Sequence, residues 1–192
     1  MNKQILVTGG SGFLGSALVK RLVKEGEDIV VLDNGSRGNL ERLESVLEKI
    51  TYIEGDIRDL NTVKKAMFNC DTVFHLAFVN GTRFFYEKPE LVLDVGLKGA
   101  MNTIEAAREY NVGTYIMASS SEIYQEPTTI PTNETERAII PDVQNPRFSY
   151  AGGKLIGELL SINSFRGKET RDVIFRPHNV FGPDMGMEHV IP

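Results

Sequence analysis

The stretch Thr8-Gly9-Gly10-Ser11-Gly12-Phe13-Leu14-Gly15 restricts the fold of this chain more than any other feature. It lies between a short apolar run, residues 4–8 (QILVT), and an amphipathic run, residues 13–25. In the second run Phe13, Leu14, Ala17, Leu18, Val19 and Leu22 recur at helical spacing. Glycine placed between a buried strand and a helix has a physical use at each position. Gly9 permits the tight turn, Gly12 lets the backbone approach a pyrophosphate, and Gly15 lets the helix pack close to the strand. The free N–H groups at the start of the helix then stabilise the anion. Asp33 ends a second apolar run, residues 28–32 (DIVVL), 18 residues beyond Gly15. A carboxylate there accepts hydrogen bonds from ribose hydroxyls and repels a 2′-phosphate, which favours NAD over NADP. Arg37 in the same loop is the group that would pair with a 2′-phosphate instead.

The rest of the chain repeats the alternation. Strands are expected at 51–54, 72–77, 112–118 and 171–175. Helices are expected at 38–48, 60–68 with Asp59 as cap, 89–110 and 148–165. On the 38–48 helix, Leu40, Leu43 and Leu47 share a face. Continuously apolar strands, each followed by a helix, predict an α/β fold with a doubly wound parallel sheet of Rossmann type. Residues 125–147, with Pro127, Pro131, Pro141 and Pro146, read as a long functional loop, and residues 80–86 lie just after the fourth strand, near the ligand edge.

The GxxGxxG stretch and three further strings resemble the extended short-chain dehydrogenase/reductase family of nucleotide-sugar epimerases, dehydratases and decarboxylases. TGGSGFLG at 8–15 is similar to the family's TGxxGFxG, and Asp56-Ile57 to its adenine-contacting pair. His75-Leu76-Ala77 resembles the strand segment beside the cofactor, and RPHNVFGP at 176–183 the R-x-x-NVYGP string. The resemblance implies NAD contacts from Gly9, Gly12, Phe13, Leu14, Gly15, Asp33, Asn34, Asp56, Ile57, Leu76, Ala77, Tyr150, Lys154 and Pro177. It implies substrate contacts from Ser121 and Asn179, and proximity to the ligand edge adds Arg83 and Tyr86 as candidates. The chain departs from the family pattern at Gly96, where many members have Asn, at Phe78 in place of Ala, and at Gln125 in place of Gly.

Tyr150 and Lys154 are four residues apart, so one helix face carries both. An unperturbed phenol, at about 10, is too weak a base at neutral pH. A nearby ammonium and a positive nicotinamide ring would favour the phenolate. Tyr150 would then take a hydroxyl proton while the cofactor oxidises the same carbon, and Lys154 would hold the nicotinamide ribose. Ser120 matches the family's catalytic serine, with Ser121 as the fallback, and Glu122 stands where related dehydratases and decarboxylases keep a working glutamate.

The leading expectation is an NAD-dependent nucleotide-sugar epimerase that transiently oxidises the sugar 4-position. A 4,6-dehydratase or a UDP-glucuronate-type decarboxylase is the alternative. A non-catalytic NAD-binding sensor or scaffold is the rival of another class, and Ser120, Tyr150 and Lys154 argue against it. The net charge of −5 without a basic stripe argues against a nucleic-acid partner. No apolar run is long enough for a transmembrane helix, and the run at Gln4–Val7 is too short for a signal peptide. Lone Cys70 fits a cytoplasmic setting and packs as a small hydrophobe. His75 reads as a core residue rather than a base. His178, His189, Asp184 and Glu188 lack the spacing of a metal site, so no metal is expected.

The family commonly dimerises through helices equivalent to 89–110 and 148–165. A homodimer through a four-helix bundle is therefore expected, with Ala100, Ala106, Ala107, Gly152, Gly153 and Gly157 permitting close helix approach. The resemblance also divides the chain into an NAD-binding domain, 1–176, and the start of a substrate-binding region, 177–192, most of which is missing. On that expectation the 192-residue chain binds NAD but turns over little or no nucleotide sugar.

Overall fold

The apolar run at Gln4–Thr8 becomes β1, the strand from which the sheet grows in both directions. A computed structural model describes residues 4–185. The strands are β1 (Gln4–Thr8), β2 (Ile29–Asp33), β3 (Ile50–Glu54), β4 (Cys70–His75), β5 (Thr114–Ala118) and β6 (Arg171–Phe175). The helices are α1 (Phe13–Glu25), α2 (Leu60–Met67), α3 (Thr82–Glu87), α4 (Pro89–Glu109) and α5 (Ser149–Phe165). All strand pairs are parallel, in the order β3-β2-β1-β4-β5-β6. The chain winds one way from β1 to β3 and the other way from β4 to β6. The point of reversal therefore lies between β1 and β4, the place where such sheets bind ligands beyond their carboxyl ends.

The two-residue period of the central strands splits the core between the faces. Leu6, Val30, Leu32 and Val73 point to the side of α2, α4 and α5, where they meet Val63, Met67, Val92, Ile104 and Phe165. Val7, Ile29 and Val31 point to the other side, against Val19 of α1 and Leu43. On that second face the outer strands are covered less well, and Phe74 and Ile116 are only partly buried. Asp59 caps α2 as expected, accepting from the Asn61 N–H at 3.0 Å and from the Thr62 hydroxyl at 2.6 Å.

Several boundaries differ from the sequence reading. Leu76 and Ala77 lie beyond β4, because the sheet ends where Thr8 pairs with His75. Val112 is buried in the turn before β5 rather than in the strand. Residues 40–49 form a 3₁₀ segment, not an α-helix. Three residues per turn rotate Leu47 off the line of Leu43, and Leu40 stands at the open start, so only Leu43 is buried. Just after β4, where the sequence reading assigns no helix, the chain forms α3, which buries Phe85 and carries an Arg83–Glu87 ion pair at 2.9 Å along its surface. Cys70 is buried against α2, its thiol contacting the Ala66 carbonyl at 3.5 Å, and burial pushes that thiol up to about 12.

Most of the small residues expected at a helix–helix interface also meet this chain's own core, whereas Gly152 is only partly buried. Ala106 and Ala107 are fully buried within it, Gly153 faces Phe78, and Gly157 faces Met117. The exposed apolar side chains on these two helices are Met101 of α4 and Ile156, Leu159 and Ile162 of α5. Among the described residues no helix is long and apolar enough to cross a membrane.

Candidate active site

The carboxyl ends of β1, β2, β4 and β5 bring the singled-out residues to one edge. After β1 the chain turns at Gly9, whose φ of +71° favours glycine. Gly15 returns so close that a Cβ there would lie 2.1 Å from the Gly9 carbonyl oxygen. No side chain caps the N-terminus of α1 at Gly12. The first N–H groups of that helix are thus available to an anion. Phe13 and Leu14 form its first turn.

Asp33 closes β2 and is nearly buried. Its carboxylate accepts from the Ser11 N–H and the Gly35 N–H, each at 2.9 Å, which fixes it beside the glycine turn. Arg37 is directed elsewhere, with its guanidinium 4.7 Å from the centre of the Phe84 ring on α3. Asn34 donates to Asp56 at 3.0 Å, and Arg58 holds the same carboxylate at 2.7 Å. The Arg58 hydrogen bonds bring the Asp56 carboxyl down to about 2. Ile57 is buried, and its carbonyl accepts from Asn102 at 2.9 Å. These residues fit a dinucleotide: a glycine cradle that a side chain would fill, a free helix start and a fixed carboxylate at the end of β2.

After β4, the Leu76 and Ala77 N–H groups bond to Thr8, at 3.2 Å to its carbonyl and 3.3 Å to its hydroxyl. His75 is a core residue, as its apolar strand suggests. The Thr8 hydroxyl lies 2.9 Å from its Nδ1, and burial, with the Lys154 charge, pulls it down to about 3.

Beyond β5, Ser120, Tyr150 and Lys154 converge. The Ser120 Oγ accepts from the Glu122 N–H at 3.2 Å, and the same side chain stands close enough to the Tyr150 phenol to favour its ionised form. The Tyr150 ring stacks on Phe85 at 5.0 Å and meets the edge of Phe78 at 5.2 Å. Lys154 is buried and donates to the Ala118 carbonyl at 2.6 Å. The expectation that a neighbouring ammonium lowers the phenol is not met by these groups alone. Burial drives Tyr150 up to about 12, with Glu122 adding to the rise and Ser120 opposing it. Burial likewise draws Lys154 down to about 7.

Glu122 is partly exposed and faces Arg147 at 3.6 Å. The Ser121 N–H donates to the Pro177 carbonyl at 3.1 Å, so the RPHNVFGP string runs beside the serine turn. Asn179 and Tyr86 are exposed, and Arg83 pairs with Glu87 on α3. His189 and Glu188 lie outside the described residues. Among the described residues no cluster could hold a metal ion.

Two groups escaped the sequence reading. Phe78 and Phe85 enclose Tyr150, although Phe78 had already stood out as a departure from the family pattern. Arg176 grips buried Glu158 with two hydrogen bonds at 2.9 and 2.7 Å, and reaches the Tyr124 hydroxyl at 2.6 Å and the Glu134 carbonyl at 3.1 Å. It thereby ties α5, the serine turn and the long loop together. Its only signal was its place at the head of the RPHNVFGP string.

A six-stranded parallel sheet with a glycine turn at its point of reversal defines a Rossmann-type α/β protein. The chain belongs to the NAD dependent epimerase/dehydratase family, whose model matches residues 5–192. A UDP-N-acetyl-alpha-D-glucosaminuronate decarboxylase of Bacillus cytotoxicus is 32% identical over 184 residues, covering 95% of this chain and 56% of the relative. The solved structure of an epimerase from Methanothermobacter thermautotrophicus superposes with a TM-score of 0.85 at 33% identity, covering 95% of this chain and 53% of that one. A UDP-glucose 4-epimerase of Thermus thermophilus, solved in complex with NAD, gives a TM-score of 0.79 at 30% identity, with 95% and 57% covered. The chain thus spans about half the length of these relatives.

Proposed function

We propose that the complete protein is an NAD-dependent nucleotide-sugar epimerase acting at the sugar 4-position. The observation that carries this reading is the convergence of Ser120, Tyr150 and Lys154 at the sheet edge that also holds the glycine turn and Asp33. NAD would lie along Gly9, Gly12, Phe13, Leu14, Gly15, Asp33, Asn34, Asp56, Ile57, Leu76, Ala77 and Pro177. NAD is favoured over NADP because the Asp33 carboxylate faces the turn while Arg37 is drawn to Phe84. When bound, NAD⁺ supplies a reversible two-electron acceptor.

The chain's residues do the proton work. Ser120 donates to the sugar oxygen and keeps it in line with the phenol. Tyr150 takes the hydroxyl proton. Lys154 would hold the nicotinamide ribose from its place beside the Ala118 carbonyl. With the phenol at about 12 before ligands arrive, the phenolate must be stabilised by charge brought in on binding, so proton removal is coupled to a filled site. Ser121, Arg83 and Asn179 would contact the nucleotide sugar.

Glu122 supports a second reading, as a decarboxylase or dehydratase. Its carboxylate is close enough to Tyr150 to raise the phenol, and one relative is a decarboxylase. The test is to offer UDP-, GDP- and dTDP-sugars with NAD⁺ and follow products by NMR. The 4-epimer should form, and Glu122→Gln should leave the rate within about threefold, since a solvent-facing carboxylate outside the proton path contributes little. A 4-keto-6-deoxy or decarboxylated product, lost with Glu122→Gln, would favour the second reading. No turnover despite bound NAD would sink both.

Residues 1–176 would form the cofactor-binding domain, with the substrate-binding region starting in 177–192. A homodimer would pair Met101, Ile156, Leu159 and Ile162 across two copies of α4 and α5, although most of the alanines and glycines named for that role are used internally. Lone, buried Cys70 fits a cytoplasmic location.

A further inference from the structure

Two of the departures from the family pattern are one spatial event. The Phe78 ring lies in a notch on α4 and α5 that only glycine leaves open. A Cβ on Gly96 would stand 2.4 Å from the Phe78 Cζ, and one on Gly153 would stand 3.1 Å from the same atom. Phenylalanine at 78, as its ring is placed, is accommodated by glycine at 96. The ring that fills the notch presents its face to the Lys154 Nζ, 4.0 Å from the centroid, and its edge-to-face contact with Tyr150 puts it against both members of the catalytic pair.

A buried ammonium needs partners for its three N–H bonds. Lys154 has the Ala118 carbonyl at 2.6 Å. His75, Phe78, Met117 and Gly157 line a cavity of about 10 Å³ beside it, which is no larger than one water at best. The ionisable groups around it are Tyr150 and Glu158 on its own helix and His75 on β4, while the surface offered by α4 here is Gly96 and Ala100. We propose that Phe78 is a positioning residue for Lys154. Its ring face takes the place that a water or polar side chain would fill, and so keeps a proton on a lysine in a dry site while aiming it at the nicotinamide ribose. This inference rests on the reading of Tyr150 and Lys154 as the proton-transfer pair.

The test reads the lysine directly and needs no turnover. The Lys154 side chain is titrated by NMR in the purified protein labelled at lysine Cε, with Lys154→Met to assign the resonance. Phe78→Leu keeps the notch apolar and removes the ring face. The Lys154 midpoint should then fall by about one pH unit, a roughly tenfold loss of proton affinity, as expected for a desolvated cation over an aromatic ring. Phe78→Ala with Gly96→Asn admits a polar group, and the midpoint should rise above that of Phe78→Leu. A Phe78→Leu midpoint equal to that of the unsubstituted protein overturns the proposal. Should Phe78→Leu fail to fold, the double variant decides: a midpoint at or above the original supports a polar substitute for the ring, and one well below it contradicts the proposal. Failure of the catalytic reading would appear separately, as Tyr150→Phe with unchanged turnover.

Discussion

Tyr150→Phe is expected to lower kcat by about 10³-fold, with NAD affinity and thermal stability nearly unchanged. The phenol ring is what packs, stacking on Phe85 and meeting Phe78, and phenylalanine keeps both contacts. Only the hydroxyl is removed, and with it the polar neighbour of Ser120. A positioned general base contributes roughly 10²–10⁴-fold, and the upper half of that range applies where the site is buried and no bulk water can substitute. The variant therefore separates chemistry from folding. Turnover measured on a nucleotide sugar, beside an NAD titration, should show a loss in kcat with little change in cofactor binding. If the variant kept its turnover, the phenol would be a structural group and the sensor or scaffold reading would gain.

Gly15→Val should abolish NAD binding, raising the dissociation constant by more than about 100-fold, and should also destabilise the fold. The predicted cause is contact with backbone, which cannot swing aside as a side chain can. A Cβ at this position meets the Gly9 carbonyl oxygen at 2.1 Å and the Gly10 Cα at 2.7 Å. Forcing the two segments apart displaces the glycine turn from β1 and carries the start of α1 with it. Overpacking of this kind costs about 1–3 kcal/mol or more. Gly26→Ala is a useful contrast, because a Cβ there meets nothing within 4 Å. Its φ of +87° still makes it strained, but it lies at the far end of α1, so NAD binding should survive. Isothermal titration with NAD⁺ and a thermal melt of each variant check both halves. Tight NAD binding by a folded Gly15→Val protein would remove the glycine cradle from the account.

The sheet was legible because its strands are apolar on both faces and its turns carry glycine. Each of the six strands was recognised, with β1 and β6 correct to the residue and the other four displaced by two residues or fewer at each end. What the sequence conceals is where a strand leaves the sheet, since that depends on its neighbour. Leu76 and Ala77 look like strand until β1 is seen to stop at Thr8. Helix α3 was missed because its burial comes from Phe85 alone against Tyr150, too short a pattern to show a period. The same limit governed the site. The Ser120–Tyr150–Lys154 set carries a local spacing and a family string. The Phe78–Gly96–Gly153 fit is a shape shared by three distant segments, and appears in the sequence only as two unrelated oddities. The alanines and glycines of α4 and α5 were read as an interface, but small residues look alike whether a helix approaches its own sheet or another copy.

The central claim is that hydrogen removed from the sugar 4-position returns to it. The most direct measurement gives the complete protein UDP-glucose deuterated at C4, with NAD⁺ in ordinary water, and follows the product by NMR. UDP-glucose is chosen because the Thermus thermophilus relative solved with NAD is named for it. The account predicts the 4-epimer with its deuterium retained at C4 and no net change in NADH absorbance. Deuterium washed out to solvent, or a product altered at C5 or C6 instead of inverted at C4, would contradict it.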